Sequence, residues 1–211
     1  MRIIAGQYRG RIIAAPEGRN TRPILDRAKT VLFDILGHYM AEPGRLPPLA
    51  VLDLFAGSGA LGVEALSRGA AYCLFVEQHR PTAALIRKNL GELNITDAAR
   101  VIEGPASKCV FPPPPAPFGV ERYGLVFIDP PYRILAGPKP GEEMRTLLAR
   151  LPAEPTIDSE ALIVIRHAYQ PAQIPDLAPL FEYRRQDVGT MTLRFMTIKQ
   201  IGNGEGVCTE P

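Results

Sequence analysis

Two stretches of the 211-residue chain carry residues whose types and spacing could do chemistry. The first is Asp129-Pro130-Pro131-Tyr132, which follows the apolar run Leu125-Val126-Phe127-Ile128. An exocyclic amine on a nucleobase is a poor nucleophile because its lone pair is delocalised into the ring. A carboxylate and a backbone carbonyl that accept its two N–H groups would orient that lone pair. Asp129 and the Pro130 carbonyl are placed for this, and Pro130 and Pro131 hold the carbonyl direction fixed. Tyr132 offers a ring on which a base can stack, worth about 1–3 kcal/mol. Such a loop would promote transfer of a group to nitrogen by positioning and electrostatics. A base in a duplex would have to be extruded first. The residues leave open whether Asp129 takes a proton or only orients the amine. Alone, the four residues are also compatible with a proline turn after a strand.

The second stretch is Val51-Leu52-Asp53-Leu54-Phe55-Ala56-Gly57-Ser58-Gly59-Ala60-Leu61-Gly62. Its glycines satisfy the dinucleotide fingerprint G-x-G-x-x-G, and Glu77, about 20 residues on, satisfies the ribose clause. Asp53 argues against a dinucleotide. It lies just before the loop, where its carboxylate would face a pyrophosphate, and two anions in a poorly solvated crevice repel by several kcal/mol on a rough Coulomb estimate. A cofactor with a sulfonium and an ammonium group and no phosphate would welcome the carboxylate. S-adenosylmethionine meets that description.

Both stretches need elements that aim them. The apolar run before the glycines reads as a buried strand at 50–55, and a helix follows at 59–68 with Gly69 as its stop signal. Free backbone N–H groups converge at such a helix start. Further strands are expected at 72–77, 100–103, 124–128 and 161–165, with helices at 81–93 and 141–151. A final pair of strands at 180–187 and 191–198 turns at Gly189. Alternating strands and helices imply an α/β fold, a mostly parallel sheet with helices on both faces. Ligands of such sheets bind at the carboxyl ends of the strands. Asp53, Glu77, Glu103 and Asp129 all fall at strand ends, so a single acidic edge is expected.

Ahead of this part, Arg2 to Ile13 reads as a β-hairpin about a Gly-rich turn, and Asp26 caps a helix running to about Met40. Val31, Leu32, Ile35, Leu36 and Tyr39 form its apolar stripe, with Arg27 and Lys29 pointing elsewhere. Residues 1–40 carry Arg2, Arg9, Arg11, Arg19, Arg22, Arg27 and Lys29 against Glu17, Asp26 and Asp34. The whole chain has a net charge of only +2, so the cations are concentrated where a phosphate-contacting arm would sit. We divide the chain into a basic extension at 1–45, an α/β domain at 46–200 and a flexible tail at 201–211. Residues 111–118, Phe-Pro-Pro-Pro-Pro-Ala-Pro-Phe, are incompatible with helix or central strand and read as a stiff surface loop. Cys73, Cys109 and Cys208 have no metal-ligand or disulfide spacing, and Cys73 reads as a small core residue. No signal peptide or membrane span is recognisable. We expect a cytoplasmic monomer without a metal.

The sequence resembles the bacterial RsmD-type methyltransferases, which modify N2 of guanine 966 in 16S rRNA. The resemblance covers nearly all of residues 1–198. It rests on Arg2-Ile3-Ile4-Ala5-Gly6-Gln7-Tyr8-Arg9-Gly10-Arg11, on Thr21-Arg22-Pro23 with Asp26-Arg27, on the run from Asp53 to Gly62 with Glu64 to Ala70, and on Glu77, Lys88-Asn89-Leu90 and the Asp129–Tyr132 loop. The resemblance implies a class I S-adenosylmethionine-dependent fold with a seven-stranded sheet. It implies cofactor contacts from the loop at 53–59, through Asp53, Phe55, Ala56, Gly57 and Gly59, and from Glu77, whose carboxylate would hold the ribose hydroxyls; to these we add Glu103 and Asp129 as expected cofactor contacts. Catalysis would fall to Asp129, Pro130, Pro131 and Tyr132. Small-subunit RNA would be held by Arg9, Arg11, Arg22 and Arg27. Two positions depart from the family pattern. Tyr132 stands where Phe is common. The run Glu103-Gly104-Pro105-Ala106 replaces an Asp or Asn followed by Ala near the adenine.

Three other functions remain in view. A DNA adenine-N6 or cytosine-N4 amino-methyltransferase could use the same Asp129 loop, but would want a large target-recognition domain. A non-catalytic RNA-binding assembly factor would bind S-adenosylmethionine without turnover. A nicotinamide dehydrogenase leaves Asp53 and Asp129 unexplained.

Overall fold

The central strands of this chain are short apolar runs because both faces of the sheet are covered there. The computed structural model describes residues 1–16, 26–135, 140–169 and 175–200, without the side chains of 132 and 133. The proposed RNA contact at Arg22 and the tail at 201–211 fall outside that range. Within it lie β1 (Ala50–Leu54), β2 (Tyr72–Glu77), β3 (Ala99–Glu103), β4 (Tyr123–Ile128), β5 (Ile157–Ala168), β6 (Phe181–Val188) and β7 (Met191–Thr197). The helices are α1 (Asp26–Tyr39), α2 (Ala60–Arg68), α3 (Arg80–Leu93) and α4 (Glu142–Arg150). The seven strands form one sheet in the order β3-β2-β1-β4-β5-β7-β6. Strands β1 to β5 pair in parallel, and β7 runs antiparallel to both β5 and β6.

Residues alternate between the two faces with the strand period of two. Val51, Phe75, Phe127 and Val164 join one core with α1, α2 and α3. Leu52, Leu74, Val126 and Ile163 join the other with α4. The amino-terminal segment is part of the first core through Ile3 and Ile13. The expected hairpin is present as a short antiparallel pairing: Arg2 bridges Ile12, the Ile3 N–H donates to the Arg11 carbonyl at 2.9 Å, and the Ile13 N–H donates to the Met1 carbonyl at 2.8 Å. Its N–H groups at Ile4, Ala5, Tyr8 and Ala14 dock on side chains of α2 and α3.

Two expectations need correction. Lys29 does not point away from the core: it is 1% exposed, donates to the Arg2 carbonyl, and lies 3.6 Å from Glu64. Strand β5 is also much longer than its apolar stretch at 161–165, because it keeps pairing with β7 through Arg166 and His167, both buried. The proline-rich segment packs across the amino-terminal end of the sheet, away from the acidic edge. Phe111 is buried, the Tyr123 hydroxyl donates to the Pro112 carbonyl at 2.6 Å, and the Phe118 ring lies 5.4 Å from that of Tyr72. Cys73 is buried in the core. Among the described residues no helix is long and apolar enough to cross a membrane.

Candidate functional site

The sheet order reverses between β1 and β4, and the site forms at the carboxyl ends of those strands, as expected for a topological switch point. The turn from β1 into α2 is shaped by glycine. Gly57 and Gly59 adopt positive φ of 56° and 80°, a region that costs glycine little. Phe55 takes φ 62° without that freedom, so backbone strain is held at the mouth of the site. Gly62 serves a different purpose. A Cβ there would lie 2.3 Å from the Phe75 ring and 2.6 Å from the Cys73 sulfur, so its absence lets α2 lie directly on β2.

The carboxylates fix this loop. Asp53, 1% exposed, accepts the Gly62 N–H at 3.0 Å on Oδ2. Glu77 accepts the Gly57 N–H at 2.9 Å on one oxygen and the His79 N–H at 2.8 Å on the other. Each carboxylate has about four acceptor positions, so both keep capacity for a ligand. The Asp129 N–H donates to the Leu54 carbonyl at 3.3 Å, which ties the end of β4 to the end of β1. Burial pushes the Asp53 carboxyl well above its ordinary pKa; the Gly62 N–H opposes the shift, and the charges of Asp129 and Glu77 add to it. Asp53, Glu77 and Asp129 therefore form one electrostatic cluster. A cofactor with positive charge and no phosphate fits that cluster; a pyrophosphate would add to its repulsion.

Glu103 lies at the end of β3, in register with Glu77, and its side chain is exposed. Tyr132 opens a short 3-10 turn, Tyr132–Leu135, but its side chain, on which stacking depends, is outside the described residues. Pro130 is buried and Pro131 exposed. Arg9, Arg11 and Arg27 are all exposed. Arg11 also donates to the Glu92 carbonyl at 2.5 Å.

Several site residues escaped the sequence reading. Arg166 donates from Nε to Asp129 Oδ1 and from Nη2 to Oδ2, the latter at 2.7 Å. Ile128 and Ile165 are register partners, so Asp129, just past the end of β4, and Arg166, within β5, stand side by side on adjacent strands. A charged residue closing an apolar strand run was the available signal. Burial raises the Asp129 pKa, while the Arg166 guanidinium opposes that rise by its charge and its hydrogen bonds. A second network docks the basic arm. Glu64 is fully buried, accepts the N–H groups of Ile4 and Ala5 at 2.9 and 3.0 Å, and pairs with Arg68 at 2.9 Å. Asn89 grips Ala14 through both backbone groups and donates to the Ser58 carbonyl in the glycine loop at 3.1 Å. The arm thus sits beside the mouth of the site.

A family model described as "Conserved hypothetical protein 95" matches residues 1–197. YlbH of Bacillus subtilis is 33% identical over 167 residues, which span 79% of this chain and 82% of that protein. The Escherichia coli protein named ribosomal RNA small subunit methyltransferase D is 38% identical over 133 residues, 63% of this chain and 61% of its own length. Among solved structures, the E. coli methyltransferase yhhF superposes with a TM-score of 0.73 at 30% identity, covering 93% of this chain and 97% of that one. An RNA methyltransferase of Salinibacter ruber, solved with S-adenosyl-L-homocysteine, shares the fold at a TM-score of 0.60 and 15% identity, over 86% of this chain and 97% of that one.

Proposed function

The chain belongs to the conserved hypothetical protein 95 family of RsmD-type methyltransferases, and on that premise we propose that it methylates the exocyclic N2 amine of a guanine in 16S rRNA. S-adenosylmethionine is the cofactor, in keeping with the class I fold and its acidic edge. When bound, it supplies a methyl group on a sulfonium, whose sulfur leaves as a neutral thioether.

One observation carries the reading. Asp129 stands at the end of β4, hydrogen-bonded through its backbone to the end of β1, beside the loop that Asp53 and Glu77 shape. An amine held there by Asp129 and the Pro130 carbonyl would present its lone pair towards the cofactor loop. With the methyl group supplied to it, the amine nitrogen so oriented would gain the N–C bond and give up one N–H proton. Asp53 and Glu77 hold the cofactor's cationic and ribose ends in this scheme. Tyr132 stacks on the extruded base. The exposed Arg9, Arg11 and Arg27, together with Arg22, contact RNA phosphates. The small ribosomal subunit or its assembly intermediate presents the guanine.

Replacing Asp129 by alanine tests the assignment. The variant is expected to bind S-adenosylmethionine within about threefold of wild type, while methyl transfer to rRNA falls at least about 100-fold. Unchanged turnover would remove Asp129 from the chemistry.

A further inference from the structure

We propose that Arg166 is a positioning residue for methyl transfer: its guanidinium grips both oxygens of Asp129 and holds that carboxylate as an oriented anion, so that Asp129 steers the amine and the released proton goes to water. The inference rests on the proposed function of Asp129 and deepens it.

The geometry is a two-point fork. Nε and Nη2 of Arg166 each donate to a different oxygen of Asp129. Such paired donors fix the plane of a carboxylate as well as its position. One further lone pair on each oxygen stays available for an amine N–H. The Arg166 side chain keeps 9% of its surface exposed and that of Asp129 keeps 17%, so the pair is largely withdrawn from water and the carboxylate is the more accessible partner. Arg166 is itself held in place. It lies within β5, in register with Leu193 of β7, and its Nη1 lies 4.0 Å from the Met191 sulfur. Burial opposes the charge on Asp129, and the Arg166 guanidinium offsets that penalty by its charge and its hydrogen bonds.

Three variants of the full chain test this: Arg166→Met, Arg166→Lys, and Arg166→Met combined with Asp129→Asn. The assay follows labelled methyl transfer from S-adenosylmethionine to small-subunit rRNA between pH 5 and pH 9, with cofactor binding measured separately. For Arg166→Met, kcat at neutral pH is expected to fall about 100-fold, with KM for S-adenosylmethionine within about twofold. The acidic limb of its kcat profile moves up by about one pH unit or more, because the anion has lost its partner. Lysine restores the charge but not the fork. Arg166→Lys should therefore keep the acidic limb near wild type while kcat stays about tenfold low. Adding Arg166→Met to Asp129→Asn should cost nothing further, since the arginine acts through Asp129.

An Arg166→Met enzyme with wild-type kcat and an unmoved acidic limb would overturn the inference. So would losses that add in the double variant. If Arg166→Met does not fold, Arg166→Lys decides: wild-type kcat at every pH sinks the two-point grip. A wild-type enzyme that methylates no RNA removes the functional reading, and this inference with it. An active wild type with indifferent Arg166 variants removes the inference alone.

Discussion

Asp53 is buried under the glycine loop, where burial and the neighbouring carboxylates oppose its charge. A cation placed beside it favours the ionised form, so binding lowers its pKa and releases a proton. Affinity for S-adenosylmethionine is therefore expected to rise with pH through the raised pKa of the free protein and to level off above it. Isothermal titration in two buffers of different ionisation enthalpy counts the proton. Affinity flat with pH and no proton release would contradict the assignment. Glu77 makes a second residue-level test. Glu77→Ala removes the acceptor of two loop N–H groups, each costing about 1–3 kcal/mol when left unpaired in a buried site. Cofactor affinity should fall more than about tenfold, and retention of wild-type affinity would argue against the ribose contact. Asp53, Glu77 and Asp129 were legible in the sequence because each sits in a local pattern at the end of an apolar run. Arg166 and Lys29 were not. Their partners, Asp129 and Glu64, are remote in sequence and meet them only through sheet register or helix docking.

At the scale of elements, close backbone approach explains the glycines better than loop freedom alone. Gly62 lies inside α2, where alanine would ordinarily add about 1 kcal/mol of helix stability. The Cβ would instead meet Phe75 and Cys73 side chains packed on the sheet. Overpacking of that kind costs about 1–3 kcal/mol, so Gly62→Ala is expected to lower the melting temperature. Phe75→Leu in the same chain should recover part of the loss, and an unchanged or raised melting temperature for Gly62→Ala would show that α2 can lift. Gly6 carries the amino-terminal arm. It has φ 81°, and a Cβ there would lie 1.8 Å from the Ser67 carbonyl oxygen. The central strands could be read from the sequence because covering both faces makes β1, β2 and β4 continuous apolar runs. The exceptions have physical causes. Strand β5 runs on through polar residues that the fold buries, and the short amino-terminal hairpin adds contacts to Glu64, Ser67 and Asn89 that no local pattern announces.

Across the whole molecule, the arm is docked on the same helix that the cofactor loop starts. Asn89 contacts both Ala14 and Ser58, which places the basic arm next to the acidic edge. The buried Glu64 network holds it there, and Glu64→Ala would take the carboxylate from the buried Arg68 and leave Lys29 with the Asp26 carboxylate, 3.8 Å away. Breaking such a network costs about 3–5 kcal/mol. Arg9 and Arg27 are exposed and suited to a clean test; Arg11 is less so, because it also holds the end of α3. The Arg9→Ala, Arg27→Ala variant should bind rRNA more weakly, with the log–log salt slope reduced by roughly one to two units and cofactor affinity unchanged. A slope equal to wild type would remove the arm from RNA contact. The central claim is tested most directly by nucleoside analysis of RNA after methyl transfer from labelled S-adenosylmethionine. Unmodified small subunits, free small-subunit rRNA and duplex DNA would be offered side by side. We predict N2-methylguanine in the small-subunit RNA and no label in DNA. Label in adenine or cytosine of the DNA, or tight cofactor binding with no label in any acceptor, would contradict the account.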